Sequence, residues 1–141
     1  MTQVLTWPVT PQGHYAIDVL IGGIAVNVMI DTGLVDPSQL VGFELAPSYF
    51  DRLEQAGLLK DVSTRTRRDA SGRKSLMPVG MVKTSLAIPE TEIAVGPVVE
   101  VYVTRCPPGL PNRVGLSFFH KLSGCHVIWD CSAKTWSVAV N

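Results

Sequence analysis

The stretch VNVMIDTGLVD, residues 26–36, decides the fold prediction because a run of β-forming apolar residues ends there in a carboxylate and a tight turn. The carboxylate is Asp31, and the turn residue is Gly33. A carboxylate at the end of a buried strand loses solvation unless hydrogen bonds or a second charge compensate it. The sequence therefore predicts a compensating partner and a special role for Asp31.

The residues on either side of this stretch predict a mostly β-structure. HYAIDVLI (14–21) and IAVNVMI (24–30) alternate around Gly22-Gly23, which predicts a hairpin leading into Asp31. PSYFDRLEQAGLLKD (47–61) has helical spacing and a glycine at its end, which predicts a helix at about 47–57. A second short helix is predicted at about 116–122.

The rest of the chain is rich in predicted strands. Residues 63–88 indicate a long exposed hairpin that turns at Asp69-Ala70-Ser71-Gly72. Further strands are predicted in TEIAV, PVVEVYVT, CHVIWD and KTWSVAV, with turns spaced as in an all-β barrel or sandwich.

Composition limits the classes of protein that the chain can represent. A length of 141 residues favours a single domain, 1–141, and 46% apolar with 17% charged residues excludes disorder. Twelve basic and twelve acidic side chains cancel, so no overall field attracts nucleic acid or anionic lipid. No apolar run reaches the length of about 18 residues needed for a membrane span. An odd number of cysteines and no secretion signal favour a cytoplasmic location.

The cysteines and histidines do not have the spacing of a metal site. Cys125, His126 and Cys131 lie too close together along one strand and turn to form a tetrahedral set. We therefore expect structural cysteines, surface histidines, and no metal or organic cofactor.

Asp31-Thr32-Gly33, the apolar strand before it, a later element at Arg113-Val114-Gly115, and CHVIWD together resemble the retropepsin-like aspartic proteases. In that family the later element is a hydrophobic-hydrophobic-Gly turn with a short helix, and the viral members are single-domain homodimers. The resemblance covers about residues 15–140. It implies a closed, mostly antiparallel barrel, with the helix at 47–57 as an insertion.

The resemblance also implies roles for individual residues. Asp31 would be the catalytic carboxylate, held by Thr32 and Gly33. The hairpin around Ser71 and Gly72 would be the flap, and apolar pockets near Leu34, Val79 and Val114 would hold alternate substrate side chains.

The chain has one DTG motif, whereas the chemistry implied by the resemblance needs two aspartates. Two aspartates about 3 Å apart can share a proton, because both cannot ionise together, and one can then act as base while the other acts as acid. A symmetric dimer places one Asp31 from each subunit on the two-fold axis. Thr32 would hydrogen-bond across this axis, and Gly33 would let the backbone approach the carboxylate.

Two positions depart from the family pattern. Leu34 stands where most members have Ala or Ser, so it cannot donate a hydroxyl hydrogen bond to the carboxylate. Val35 and Leu116 stand where many viral members have an Asp–Arg ion pair, and since both are apolar, no charge is left unpaired.

The first prediction is thus a homodimeric aspartic endopeptidase that acts on a peptide or protein substrate. A second prediction keeps the fold and the dimer but not the catalysis, and assigns the protein to peptide binding or assembly. In the simplest alternative, Asp31 only caps a turn. A third is a nucleic-acid accessory module. It would use the basic residues around the hairpin tip, but no aromatic residues interleave with them, so a solvated face is the favoured interpretation. These residues are Arg65, Arg67, Arg68, Arg73 and Lys74.

Overall fold

A computed structural model describes residues 3–34, 41–68 and 71–141, apart from the side chains of Val41 and Arg67. Ten strands and two helices are assigned within these ranges. In chain order they are β1 (Gln3–Pro8), β2 (Ala16–Ile21), β3 (Ile24–Ile30), β4 (Val41–Leu45), α1 (Pro47–Gln55), β5 (Lys60–Arg68), β6 (Lys74–Ala87), β7 (Ala94–Arg105), β8 (Arg113–Val114), α2 (Leu116–Lys121), β9 (Cys125–Asp130) and β10 (Thr135–Val140).

Six of the strands form a closed barrel in the order β2-β3-β8-β4-β7-β6, and pairing of β2 with β6 closes the ring. Strand β5 extends the sheet beyond β6. The β3–β8 and β4–β7 pairs are parallel, whereas the other pairs of the barrel are antiparallel. The predicted closed, mostly antiparallel β-fold with two short helices is confirmed.

The hairpin that leads into Asp31 forms as its alternation predicts. Ile17, Val19 and Ile21 of β2 are fully buried, while the residues between them are partly exposed. The connection is Gly22-Gly23, with φ of +58° and +81°. Positive φ at both central residues gives the twist that a two-residue hairpin turn needs, and glycine adopts it without steric cost.

Helix α1 is confirmed, but it ends at Gln55 rather than near residue 57. It buries Phe50 and Leu53 against the barrel. Gly57, with φ of +70°, ends the helix in the left-handed conformation, and its N–H donates to the Glu54 carbonyl. The next N–H, that of residue 58, donates to the Leu53 carbonyl, which completes a Schellman motif.

Helix α1 is also joined to β7 by an ion pair. Arg105 donates from Nε and Nη2 to the two carboxylate oxygens of Asp51, at 2.9 and 3.2 Å. The hydrogen bond from Arg105 lowers the pKa of Asp51 below its usual value. Both side chains are more than one-third exposed, so this pair contributes little to stability.

Helix α2 and the long hairpin are close to their predicted positions. Helix α2 spans Leu116–Lys121, against a prediction of about 116–122. Strands β5 and β6 pair antiparallel from the Lys60↔Met81 to the Arg68↔Lys74 register. The tip includes Ser71 and Gly72, and residues 69–70 of the predicted turn lie outside the described residues.

Three features differ from the sequence prediction. PVVEVYVT and the last two residues of TEIAV form a single long strand, β7, which continues through Gly96, with φ of +79°. Strand β1 was not predicted, although Leu5 and Trp7 are buried and their neighbours along the strand are exposed. Strand β4 was also missed, because its sequence VGFEL contains a glycine and a glutamate.

Strands β1, β10 and β9 form a separate three-stranded sheet, with β10 in the middle, which we call the terminal sheet. Trp7 and Trp136 from this sheet are buried in the barrel core, whereas Trp129 on β9 is 56% exposed. Trp7 also donates from Nε1 to the Asp18 carboxylate on β2, at 2.7 Å. This hydrogen bond joins the terminal sheet to the barrel.

Among the described residues, no helix is long and apolar enough to cross a membrane.

We expect Trp7→Phe to lower the free energy of unfolding by about 2 kcal/mol, because it removes a hydrogen bond to a charged group and part of a buried ring. Urea unfolding measures the change. Thr6→Val is the control, since it removes the exposed Thr6–Ser137 hydrogen bond from the same strand, and it should change stability by less than about 0.5 kcal/mol. Equal effects of the two substitutions would show that the Trp7–Asp18 contact does not join the sheets.

Candidate active site

The backbone of Asp31 is fixed by the short strand β8. Ile30 pairs with Val114 in the parallel β3–β8 register, and the Asp31 N–H donates to the Val114 carbonyl at 2.9 Å. One residue earlier, the Ile30 N–H donates to the Tyr15 carbonyl at 2.8 Å. The backbone is therefore hydrogen-bonded to Val114 on one side and to Tyr15 on the other, up to Asp31 itself.

The DTG segment then turns back on itself. The Leu34 N–H donates to the Asp31 carbonyl at 3.1 Å, and the Gly33 N–H donates to Asp31 Oδ1 at 2.9 Å. A Cβ atom at Gly33 would lie 3.3 Å from the same carboxylate oxygen, so glycine leaves room for this approach. The Asp31 side chain is 29% exposed, and Thr32 and Gly33 are exposed. The carboxylate therefore lies at the surface of the single chain while keeping backbone support.

The second oxygen of Asp31 contacts a cation from the same chain. Arg113 Nη1 donates to Asp31 Oδ2 at 3.3 Å, and Nη2 of the same guanidinium donates to Glu44 Oε2. The Glu44 side chain is only 2% exposed. We call these three residues the Asp31–Arg113–Glu44 cluster. It holds two carboxylates and one guanidinium, and Glu44 is the more deeply buried of the two carboxylates.

Strand pairing explains how residues so far apart in the chain meet. Strand β8 lies between β3 and β4, and Arg113 pairs with Met29 on one side and with Glu44 on the other. Opposite charges directly across an antiparallel pair attract each other. Cys106, which follows β7, donates from its thiol to Glu44 Oε2 at 3.3 Å. Strand β4 thus fixes the cluster at its buried end.

Arg113 stands at the first position of the element that was matched to the family's hydrophobic-hydrophobic-Gly turn, but it is a charged residue of the candidate site. Its guanidinium contacts Asp31, and its Nε is buried with no hydrogen-bond partner in the described part of the chain. Glu44 was missed as well. The sequence signal for Arg113 and Glu44 is that each is a charged residue in a short apolar segment. A charge in a buried strand requires an opposite charge nearby.

The residues predicted to bind substrate fall into two groups. Leu34, Val79 and Val114 are buried in the single chain, with exposures of 6%, 1% and 0%. Ser71 and Gly72 are exposed at the tip of the β5–β6 hairpin. Contact of either group with a substrate stays a prediction.

Leu34 packs against the glycine that begins helix α2. A Cβ atom built on Gly115 would lie 2.6 Å from the Leu34 carbonyl oxygen and 3.2 Å from Leu34 Cγ. The Gly115 N–H donates to the Gly42 carbonyl at 3.0 Å, so Gly115 also contacts β4. The DTG turn and the start of α2 are thus in close contact.

A separate cleft of about 480 Å³ lies away from Asp31. Its lining includes the Gly22-Gly23 turn, the chain just after α1, and the middle of β6. No group of three or more potential metal ligands occurs among the residues that the structure describes.

Comparison of the structure with solved structures identifies a retropepsin-like fold. A retropepsin-like aspartic protease from Rickettsia conorii matches with a TM-score of 0.63 and 14% identity, over 99% of this chain and 92% of that one. EIAV protease complexed with the inhibitor HBY-793 matches with a TM-score of 0.51 and 15% identity, over 80% and 91%. No protein-family model and no curated protein sequence matches the chain. At these identities the comparison establishes the fold alone.

We expect Gly115→Ala to destabilise the protein by about 1–3 kcal/mol, because the added methyl group overlaps a backbone oxygen at the DTG turn. Gly80→Ala is the matched control, since the three atoms nearest to its Cβ would be side-chain atoms of Leu59, at 3.1–3.3 Å, rather than backbone. Thermal unfolding of both variants measures the difference. A Gly115→Ala protein as stable as the control would show that the turn is not tightly packed on α2.

Proposed function

We propose that the chain is a homodimeric aspartic endopeptidase. The observation that carries the proposal is the position of Asp31 on a retropepsin-like fold: its carboxylate is held by the Gly33 N–H while remaining partly exposed. Both solved structures reported above are proteases, and one of them is described as a retropepsin-like aspartic protease. We extend that activity to this chain as a hypothesis.

In the proposed reaction, two Asp31 carboxylates, one from each subunit, hold a water molecule between them. The ionised aspartate takes a proton from the water as it attacks the scissile carbonyl carbon, and the protonated aspartate donates a hydrogen bond to the carbonyl oxygen. The tetrahedral intermediate then collapses as the aspartate that took the water proton passes it to the amide nitrogen, which leaves as an amine, and both aspartates return to their starting states. In each subunit, the Gly33 N–H stabilises the carboxylate through Oδ1.

An extended peptide suits the rest of the proposed site. The β5–β6 hairpin would cover the peptide as a flap, with backbone groups near Ser71 and Gly72 pairing with it as an added strand. Gly72 has φ of +85°, and opening at this glycine would admit the substrate. Because Leu34, Val79 and Val114 are buried in the single chain, their pockets would form when the dimer and the flap rearrange around the peptide.

The outer strand of the terminal sheet supports an interface between two copies. Strand β9 lies at the edge of the β1-β10-β9 sheet, and its residues Val127, Ile128 and Trp129 are 40%, 54% and 56% exposed. An exposed apolar edge strand can pair with another chain. A two-fold pairing of β9 with its copy would bury these side chains.

This edge is also close to the DTG strand. The Trp129 ring lies edge-on to the Tyr15 ring, with centroids 5.9 Å apart. The Tyr15 carbonyl in turn accepts the Ile30 N–H, and Ile30 immediately precedes Asp31. A dimer formed at β9 would therefore bring the two DTG turns toward the same axis.

The alternative is a dimer of the same fold that binds peptides or supports assembly without cleaving them. One contact favours it: Arg113 already compensates Asp31 within a single chain. An aspartate with its own cation has a structural role even without catalysis.

Asp31→Asn separates these two functions. We expect it to lower kcat/KM toward a peptide library by about 10³-fold or more, because asparagine can neither take up nor release the proton. Circular dichroism and sedimentation should show an unchanged fold and dimer. Peptide binding that persists while neither protein cleaves any peptide would instead support the non-catalytic alternative.

The proposed interface predicts the effect of a charge on β9. We expect Ile128→Lys to shift the protein to monomer in sedimentation velocity and to lower activity most at low protein concentration, because a lysine would be buried at the dimer contact. Val98→Lys is the matched control, since Val98 on β7 is 63% exposed and lies outside the terminal sheet. Dimers of unchanged affinity in the Ile128→Lys protein would rule out β9 as the interface.

A further inference from the structure

The Asp31–Arg113–Glu44 cluster has one guanidinium for two carboxylates, and the two carboxylates differ in their access to water. Glu44 is almost completely buried, and Arg113 Nη2 donates to its Oε2. Asp31 is partly exposed and 3.3 Å from the same cation. Since a buried carboxylate has no water to stabilise its charge, it gains more from the cation than an exposed one does.

We infer that Arg113 and Glu44 act together as positioning residues that set the pH range of the Asp31 site, an inference that rests on the proposed protease function. Arg113 places a positive charge 3.3 Å from Asp31 Oδ2, and an opposite charge at such a distance stabilises a carboxylate. Glu44 opposes this effect, because its own charge offsets that of Arg113. The buried glutamate thereby limits how strongly the arginine affects the site.

The groups that face the cluster come from several elements. Arg113 is on β8, Glu44 is on β4, and the Cys106 thiol, which follows β7, contacts Glu44. The Gly33 N–H contacts Asp31 from the turn. In the proposed dimer, the Asp31 of the second copy would be a further titratable group near this carboxylate.

Two changes separate the effects of Arg113 and Glu44. Glu44→Gln keeps the side-chain shape and leaves the full charge of Arg113 to Asp31. Arg113→Met alone would leave the Glu44 carboxylate buried without the guanidinium, which is strongly destabilising. The double variant Glu44→Gln/Arg113→Met avoids this problem, because it removes one charge of each sign.

The test is the pH dependence of kcat/KM for the wild type and both variants, with one peptide substrate. The acid limb of this profile reports the carboxylate that must be ionised in the free enzyme. We expect the limb of Glu44→Gln to lie about one pH unit below that of the wild type, and the limb of the double variant to lie above it. The control is Asp51→Asn/Arg105→Met, which removes another Arg–carboxylate pair and should leave the limb unchanged.

Coincident acid limbs in the wild type and both variants would overturn the inference while leaving the protease proposal intact. If the wild type shows no Asp31-dependent cleavage, the protease proposal fails instead. The inference is then decided by the ¹³C chemical shift of the Asp31 carboxyl group, followed against pH in the same proteins. The same order of midpoints supports it, and identical curves refute it.

Discussion

One guanidinium between two carboxylates is the contact on which the candidate site depends. Arg113 lies in the middle of the three-strand set β3-β8-β4, and it reaches Glu44 on one side and Asp31 at the end of the other neighbouring strand. A buried Glu44 carboxylate would be costly without this charge. The cation therefore supports the packing of β4 as well as the carboxylate of the DTG turn, so fold and site share one electrostatic interaction.

The geometry of this contact comes from backbone pairing. Strand β8 has only two residues, yet it pairs in parallel with β3 and antiparallel with β4. Alternation along β8 buries Val114 in the barrel core and leaves Arg113 on the other face, where it meets Glu44 across the strand pair. A shift of one residue in either register would exchange these faces. Close packing of Gly115 on Leu34 opposes such a shift.

The sequence pattern predicted the parts of the fold that depend on residues close together along the chain. The β2–β3 hairpin follows from strict alternation around two glycines, and the end of α1 follows from Gly57. Strand β4 gave a weaker signal, because Gly42 and Glu44 are uncommon in strands and only the β7 and β8 neighbours explain them. Contact between Arg113 and Asp31 spans 82 residues, and no local pattern indicates it. Asp31 itself was found because a short motif marks it.

Arg113 also changes the argument for a dimer. A second acid with a shared proton would compensate Asp31, but the single chain already provides a cation. The case for two subunits therefore rests on the exposed β9 edge rather than on the cost of the carboxylate.

Counting charges indicates why a shared proton is still expected in such a dimer. Two copies of the cluster contain four carboxylates and two guanidiniums, which leaves an excess of two negative charges near the axis. In the proposed dimer the buried Glu44 would offset part of the charge of Arg113, so the two Asp31 carboxylates would repel each other, and one proton between them would relieve that repulsion. A neutral residue at position 44 would leave more of the charge of each arginine to its own aspartate and would weaken this repulsion. The proposed acid–base chemistry is therefore compatible with an arginine beside Asp31, because the buried glutamate shares that arginine.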